Sequence, residues 1–263
     1  MLLSIVIPAR NEDQELPGTL DSVRKAVTAV DVAADDIEVI VVDDGSTDRT
    51  AEIATSRGAT VLSVAIHNIG QVRNAGAEAA SGDWLVFLDA DTRLPAETLQ
   101  AAIDRLRLGH VGGGARIRWD RQPPLFGRLS SAAFLFWWQT LHQWAAGCFI
   151  WCRRDAFEAI GGFAPEWLAA EERPLSIALR EHGRPDGRGW SILKQPVVSS
   201  ARKMRLFSTG QLIRITLPLL FSPSGLLAGK GRLKTARGLE FFYDAPRETA
   251  EPVAASESQP PAR

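Results

Sequence analysis

The first hundred residues of this 263-residue chain alternate short apolar runs with stretches of helical spacing, an order that few folds accept. Leu2-Leu3-Ser4-Ile5-Val6-Ile7 reads as a buried strand closed by Pro8, because proline cannot continue a central ladder. Leu16 to Val30 follows, with Leu16, Leu20, Val23 and Val27 on one helical face. Ile37 to Val42 is a second strand. It ends in Asp43-Asp44-Gly45-Ser46-Thr47-Asp48, where turn residues stop it and Thr47 or Asp48 caps a helix beginning near Arg49. Val61-Leu62-Ser63-Val64 is a third strand, and Gly70 to Ala80 an alanine-rich helix closed by Ser81-Gly82. Leu85 to Leu88, apolar at every position, reads as a strand buried on both faces, and it emerges into Asp89-Ala90-Asp91. The expected class is α/β, a doubly wound, mostly parallel sheet flanked by helices, in which ligands collect at the carboxyl ends of strands. Pro8 to Glu12, Asp43-Asp44 and Asp89 to Asp91 all fall at such ends and should line one crevice.

Two carboxylates one residue apart at a strand's end can offer oxygen ligands to a hard divalent cation, leaving coordination positions open for a diphosphate. The plainer reading of Asp89 and Asp91 is a pair of solvated turn residues, and that of Asp43-Asp44-Gly45 is a turn and helix cap. The surrounding blocks decide between them. Ser4 to Glu12, Val41 to Asp48, Arg73-Asn74-Ala75-Gly76 and Phe87 to Asp91 together resemble the family 2 glycosyltransferases of GT-A fold, over about residues 2 to 205. The resemblance implies that Pro8, Ala9, Glu12, Asp43 and Arg73 contact the base and ribose of a nucleoside-diphosphate sugar, a UDP-sugar before the others. Arg10 stands in the same loop where the family often has an aromatic residue. It further implies that Asp89 faces ribose and metal, while Asp91 ligates a Mn²⁺ or Mg²⁺ bound to the diphosphate.

The second half, residues 111–205, is expected to hold the acceptor, and residues 1–110 the nucleotide sugar. A strand is expected at Ala115 to Trp119, after Gly112-Gly113-Gly114. From Leu129 to Cys152 no residue is charged, and Phe134, Leu135, Phe136, Trp137, Trp138, Leu141 and Trp144 crowd the centre. Such a length could just cross a bilayer, yet Gln139, His142 and Gln143 sit in its middle and tryptophan prefers interfaces. Packing on the sheet, or a wall against a sugar or lipid tail, is expected instead. His142 reads as a satisfied polar partner rather than a catalytic group. Gly147 to Phe157 with Gly161-Gly162-Phe163 resembles the acceptor-side signature of the same family. In Ala169-Ala170-Glu171-Glu172-Arg173-Pro174, the resemblance places the general base on Glu172 ahead of Glu171, with Glu-Glu replacing the family's Glu-Asp. Acidic residues also favour a helix start, and both readings can hold together. Arg202-Lys203 resembles a segment that could clamp the departing diphosphate; a solvated basic loop is the alternative.

Net charge is −1, but between Gly187 and Leu239 there is no Asp or Glu, so this block prefers an anionic partner. Ile215 to Gly229 is charge-free and broken by Pro218 and Pro223, too short for one spanning helix. With basic residues on both flanks, the 206–243 extension fits either a segment lying on an anionic membrane surface or a hairpin packed on protein. Residues 244–263 lack the apolar content to fold. The N-terminus carries no signal-peptide pattern, and Cys148 and Cys152 read as buried thiols, so a cytoplasmic protein, peripheral on the inner membrane face, is expected. The activity implied is an inverting, metal-dependent sugar transfer to an acceptor hydroxyl, on a lipid or lipid-linked saccharide, with no nucleic-acid partner. Two alternatives stand beside it: a catalytically degenerate nucleotide-sugar binding protein, and a nucleotidyltransferase of related fold.

Overall fold

The computed structural model describes residues 3–121, 125–167 and 170–201. The expectations for Arg202, Lys203, the 206–243 extension and the 244–263 tail lie outside these residues. Among the described residues eight strands form one sheet: β1 (Leu3–Ala9), β2 (Ile37–Asp44), β3 (Thr60–Val64), β4 (Trp84–Leu88), β5 (Thr92–Arg93), β6 (Gly112–Trp119), β7 (Phe149–Arg153) and β8 (Trp190–Ser199). Their order is β3-β2-β1-β4-β7-β6-β8-β5. The first four are mutually parallel, as the strand–helix alternation requires. Beyond β4 the sheet is mixed: β7 runs antiparallel to both β4 and β6, β6 and β8 are parallel, and β5 closes the edge antiparallel to β8.

Strand β4 shows why a fully apolar run belongs at the centre. Trp84, Val86 and Leu88 join one buried cluster with α1 (Leu16–Ala29) and α4 (Ala96–Arg107). Leu85 and Phe87 join the opposite one with α3 (Ile69–Ala79), α6 (Arg154–Ala159) and α7 (Glu172–Gly183). Helix α2 (Thr50–Ser56) starts where expected, with Asp48 Oδ1 accepting from the Thr50 backbone N–H at 2.9 Å.

Two expectations are corrected. Pro8 does not close the first strand: β1 continues to Ala9, with Pro8 opposite Val42 and Ala9 opposite Asp43. Pairing of β1 with β4 stops at Val6–Phe87, so the proline lies past the part of β1 with neighbours on both sides. The strand expected from Ala115 begins three residues earlier: Gly112, Gly113 and Gly114 are its first residues, paired with Cys152, Trp151 and Ile150. A Cβ on Gly113 would lie 1.9 Å from the Ser191 carbonyl oxygen and 2.4 Å from the Trp151 ring.

The charge-free segment is no single helix. Helix α5 (Leu125–Leu135) passes into a π-helical turn, Phe136–Leu141, and the chain then enters β7. Trp138 and Trp144 are buried in a small aromatic cluster with Phe134 and Trp137 against it. Among the described residues no helix is long and apolar enough to cross a membrane.

Candidate active site

The carboxyl ends of β1, β2 and β4 lie side by side because those strands are parallel neighbours. Their loops are tied together by short polar bonds. Asn11, at φ +50, donates its N–H to Ser46 Oγ at 2.9 Å and accepts from the Thr47 N–H at 2.7 Å. The Glu12 N–H donates to Thr50 Oγ1 at 2.8 Å, and the Asp13 N–H to Asp48 at 3.1 Å. Pro8 and Ala9 therefore form a rigid buried floor, Glu12 is buried beside them, and half-buried Arg10 donates to His67 Nδ1 at 2.9 Å.

The two aspartates ending β2 do different work. Asp44 accepts from the Ile66 N–H at 2.6 Å and the His67 N–H at 2.9 Å, which anchors the loop before α3. Asp43 is buried and accepts from the Ser46 N–H at 3.3 Å. This division has a sequence signal only in hindsight of side: adjacent residues of a strand point to opposite faces.

Arg73 is the hub. It projects from α3 and is 2% exposed. Its guanidinium donates to Asp89 Oδ1 at 2.8 Å, to the Gly147 carbonyl at 2.9 Å and to Glu171 Oε1, and it lies over the Phe163 ring at 5.4 Å. Burial alone would push its pKa down; the charges of Asp89, Glu171 and Glu172 overcome this and hold it above the ordinary arginine value. Three parts of the chain that are distant in sequence thus meet on one cation: the end of β4, the turn before β7 and the head of α7. Gly70 permits the approach, since a Cβ there would meet Phe163 at 3.2 Å and Glu171 at 3.4 Å.

Around Arg73, α3 grips the acceptor half. Asn68 caps the helix by accepting from the Gln71 N–H at 3.0 Å and donates to the Pro165 carbonyl at 3.3 Å. Asn74 exchanges two bonds with the Phe163 backbone, at 2.8 and 2.9 Å, and Gln71 adds a third to the same carbonyl at 3.0 Å. Asn74 and Gly147 carry no local signal of these contacts, because their partners are 89 and 74 residues away.

Glu172 opens α7, and Pro174 sits in the first turn of that helix, where proline is tolerated. Burial, with the charge of Glu171 behind it, pushes the Glu172 carboxyl up to about 8. Cys148 lies in the same field. Burial and the charges of Asp89, Asp91 and Glu172 push its thiol well above the usual range, which disfavours the thiolate form. His142 stacks on Trp144, ring centroids 4.3 Å apart, and its carbonyl accepts from Arg180 at 2.8 Å. Burial and the nearby Arg173 and Arg180 charges lower its pKa.

Asp91 is buried one residue past Ala90, and its backbone carbonyl accepts from the Ser200 N–H at 3.2 Å. Among the described residues no cluster of three or more His, Cys, Asp or Glu could enclose a metal. A closed, all-protein site therefore does not fit. An open one does: one or two carboxylates at a strand end, completed by phosphate oxygens and water, is the donor set that Mg²⁺ or Mn²⁺ takes with a diphosphate.

The description Glycosyl transferase family 2 matches residues 4–161. An undecaprenyl-phosphate 4-deoxy-4-formamido-L-arabinose transferase of Pseudomonas aeruginosa is 32% identical over 195 residues, covering 69% of this chain and 54% of that protein. The 4,4'-diaponeurosporenoate glycosyltransferase of Staphylococcus haemolyticus is 40% identical over 108 residues, 38% of this chain and 27% of that one. The chain spans about half the length, or less, of these curated relatives. Among solved structures, S. aureus TarS residues 1–349 superposes with TM-score 0.59 at 18% identity, covering 93% of this chain and 81% of that one. Glucosyl-3-phosphoglycerate synthase from Mycobacterium tuberculosis, solved with Mn²⁺ and UDP, gives 0.58 at 23% identity, covering 84% and 79%. These likenesses establish the fold, which is the GT-A arrangement expected from the sequence blocks.

Proposed function

The chain belongs to glycosyl transferase family 2, and from that premise we propose that it transfers a sugar from a nucleoside-diphosphate sugar to a lipid-linked acceptor with inversion. The observation that carries the proposal is the Arg73 hub. It holds the β4 end, where a diphosphate would sit, against the head of α7, where a base of raised pKa waits. A UDP-sugar donor is supported by a structural neighbour solved with UDP-GlcNAc.

In this reading Pro8, Ala9, Arg10, Glu12 and Asp43 form the seat of the nucleoside, and Arg73 holds Asp89 in orientation through its 2.8 Å bond. Asp91 and Asp89 would hold a divalent cation, which supplies charge neutralisation to the leaving diphosphate. Arg202 and Lys203 would add to it from outside the described residues. Glu172 removes the proton from the acceptor hydroxyl as that oxygen attacks the anomeric carbon. A carboxylate with a pKa near 8 is a far stronger base than an ordinary one, and it lies close to working pH. Glu171, engaged by Arg73, positions that base rather than replacing it.

A second reading is favoured by the relatives whose names specify undecaprenyl phosphate. If a lipid phosphate oxygen is the acceptor, it arrives ionised and needs no base. Turnover of Glu172→Gln separates the two, since a loss of about 10²-fold or more marks a hydroxyl acceptor and unchanged turnover a phosphate. The donor half is tested by thermal shift with UDP, GDP, dTDP, CDP and ADP, each with and without Mn²⁺. A Mn²⁺-dependent rise with one diphosphate, absent in Asp91→Asn, is the expected result; no rise with any would overturn the donor assignment.

A further inference from the structure

The outer side of α5 and its π-helical turn has no work in the site just described. Leu129, Phe136 and Leu141 are 64%, 56% and 63% exposed, a concentration of large apolar side chains found nowhere else among the described residues. Leu129 and Phe136 are seven residues apart, two helical turns, and exposed Ala133 lies between them, so they make one stripe. The opposite side of the same segment is inward: Trp138 and Gln139 are buried, and Gln139 donates to the Ala115 carbonyl at 2.8 Å. The stripe is therefore the outward side of a segment tied to β6 through Gln139.

Basic charge predominates along it. From Arg121 to Arg154 the chain holds no Asp or Glu. Arg128 is exposed beside Leu129, and Arg116 lines a cavity of about 520 Å³ together with Phe136, Gln139, Trp190 and Ile192. Arg118 follows two residues along β6 and is exposed as well. Among the described residues none of these three arginines pairs with a carboxylate.

Asp120 Oδ1 accepts from the Arg121 N–H at 2.7 Å and from the Ala201 N–H at 2.8 Å. Residues 121 and 201 are thus held on one carboxylate. Residues 202–239 contain no acidic residue.

We propose that the Leu129–Phe136–Leu141 stripe, with Arg116, Arg118 and Arg128 at its border, is a docking surface for an anionic lipid bilayer. The proposal deepens the lipid-linked acceptor reading and rests on it. The stripe inserts its side chains between headgroups while the arginines meet lipid phosphates, and α5 lies in the plane of the surface because it is too short to cross. The cavity behind Phe136 then opens at the level from which a lipid-borne acceptor would approach.

The test is sedimentation of the full chain with phosphatidylcholine vesicles, with and without phosphatidylglycerol, at low salt. Wild type should bind the anionic vesicles and be released by salt. The triple variant Leu129→Ser/Phe136→Ser/Leu141→Ser should bind at least about tenfold more weakly. Leu108→Ser, equally exposed on the far end of α4, should bind as wild type does. Should the triple variant fold poorly by circular dichroism, Arg116→Glu/Arg128→Glu carries the test, with weakened binding to anionic vesicles alone. Undiminished binding by both variants would overturn the assignment and place docking elsewhere, with the lipid acceptor intact. A stripe that instead governs self-association without lipid would overturn it in favour of a contact between copies. The acceptor reading is scored separately, by whether sugar from the donor appears in a lipid extract.

Discussion

Arg73 carries more of this site than any other residue. A buried cation bonded to Asp89, Glu171 and the Gly147 carbonyl leaves two carboxylates uncompensated when it is removed. Arg73→Met should therefore cost about 3–5 kcal/mol, seen as a lowered midpoint in urea, and adding Glu171→Gln should recover part of that loss. Glu172 makes the opposite case, a half-buried acid whose ionised form is disfavoured. Its carboxyl is raised from an ordinary 4.5 to about 8, so the stabilising contribution of the protonated form is fully present below about 4.5. It erodes above that and is lost as pH rises through about 8. In metal-free buffer the melting temperature of wild type should fall between pH 6 and 9 more steeply than that of Glu172→Gln. Equal slopes would mean that Glu172 titrates as an ordinary surface carboxylate. Under the hydroxyl-acceptor reading, kcat/KM should rise over the same pH interval, because the base must be ionised to act.

At the scale of elements, α3 and β6 decide whether the site exists. Helix α3 spans the two halves through Asn68, Gln71 and Asn74, all of which bond the 163–167 loop. Strand β6 begins with three glycines because β7 and β8 approach it too closely for side chains. Gly113→Ala should destabilise by about 3 kcal/mol, measured by denaturation, since its Cβ would force β6 away from Ser191 or Trp151. These two elements also mark the limit of what was legible. The helical spacing of 70–80 and the apolar runs of β1, β2 and β4 are local signals, and the structure follows them within a residue or two. The Gly112-Gly113-Gly114 run carries no side-chain signal, so the strand is legible only from Ala115 until Trp151 and Ser191 are seen against the glycines.

For the whole molecule, the two halves share one sheet, joined where β7 pairs with β4. Unfolding should then be a single cooperative event. Seven of the eight tryptophans lie beyond residue 110, so tryptophan fluorescence reports the acceptor half while far-UV circular dichroism reports both halves. Coincident transitions by the two probes are expected; separated ones would show that the halves come apart independently.

What the sequence determined by itself is the donor half: four parallel strands, the helices between them, and the acidic and proline-bearing loops at one edge. Period and burial are written locally, and parallel strands bring their carboxyl ends together without further instruction. Only the tertiary structure decided the rest. Arg73 and Glu171 are 98 residues apart, and nothing in either neighbourhood names the other. Their meeting depends on β7 entering the sheet against the direction of β4, which turns the Gly147 loop and the head of α7 toward Asp89. Once that cation is buried between two acids, burial and charge set the pKa of Glu172, a property of the folded field that no stretch of sequence contains.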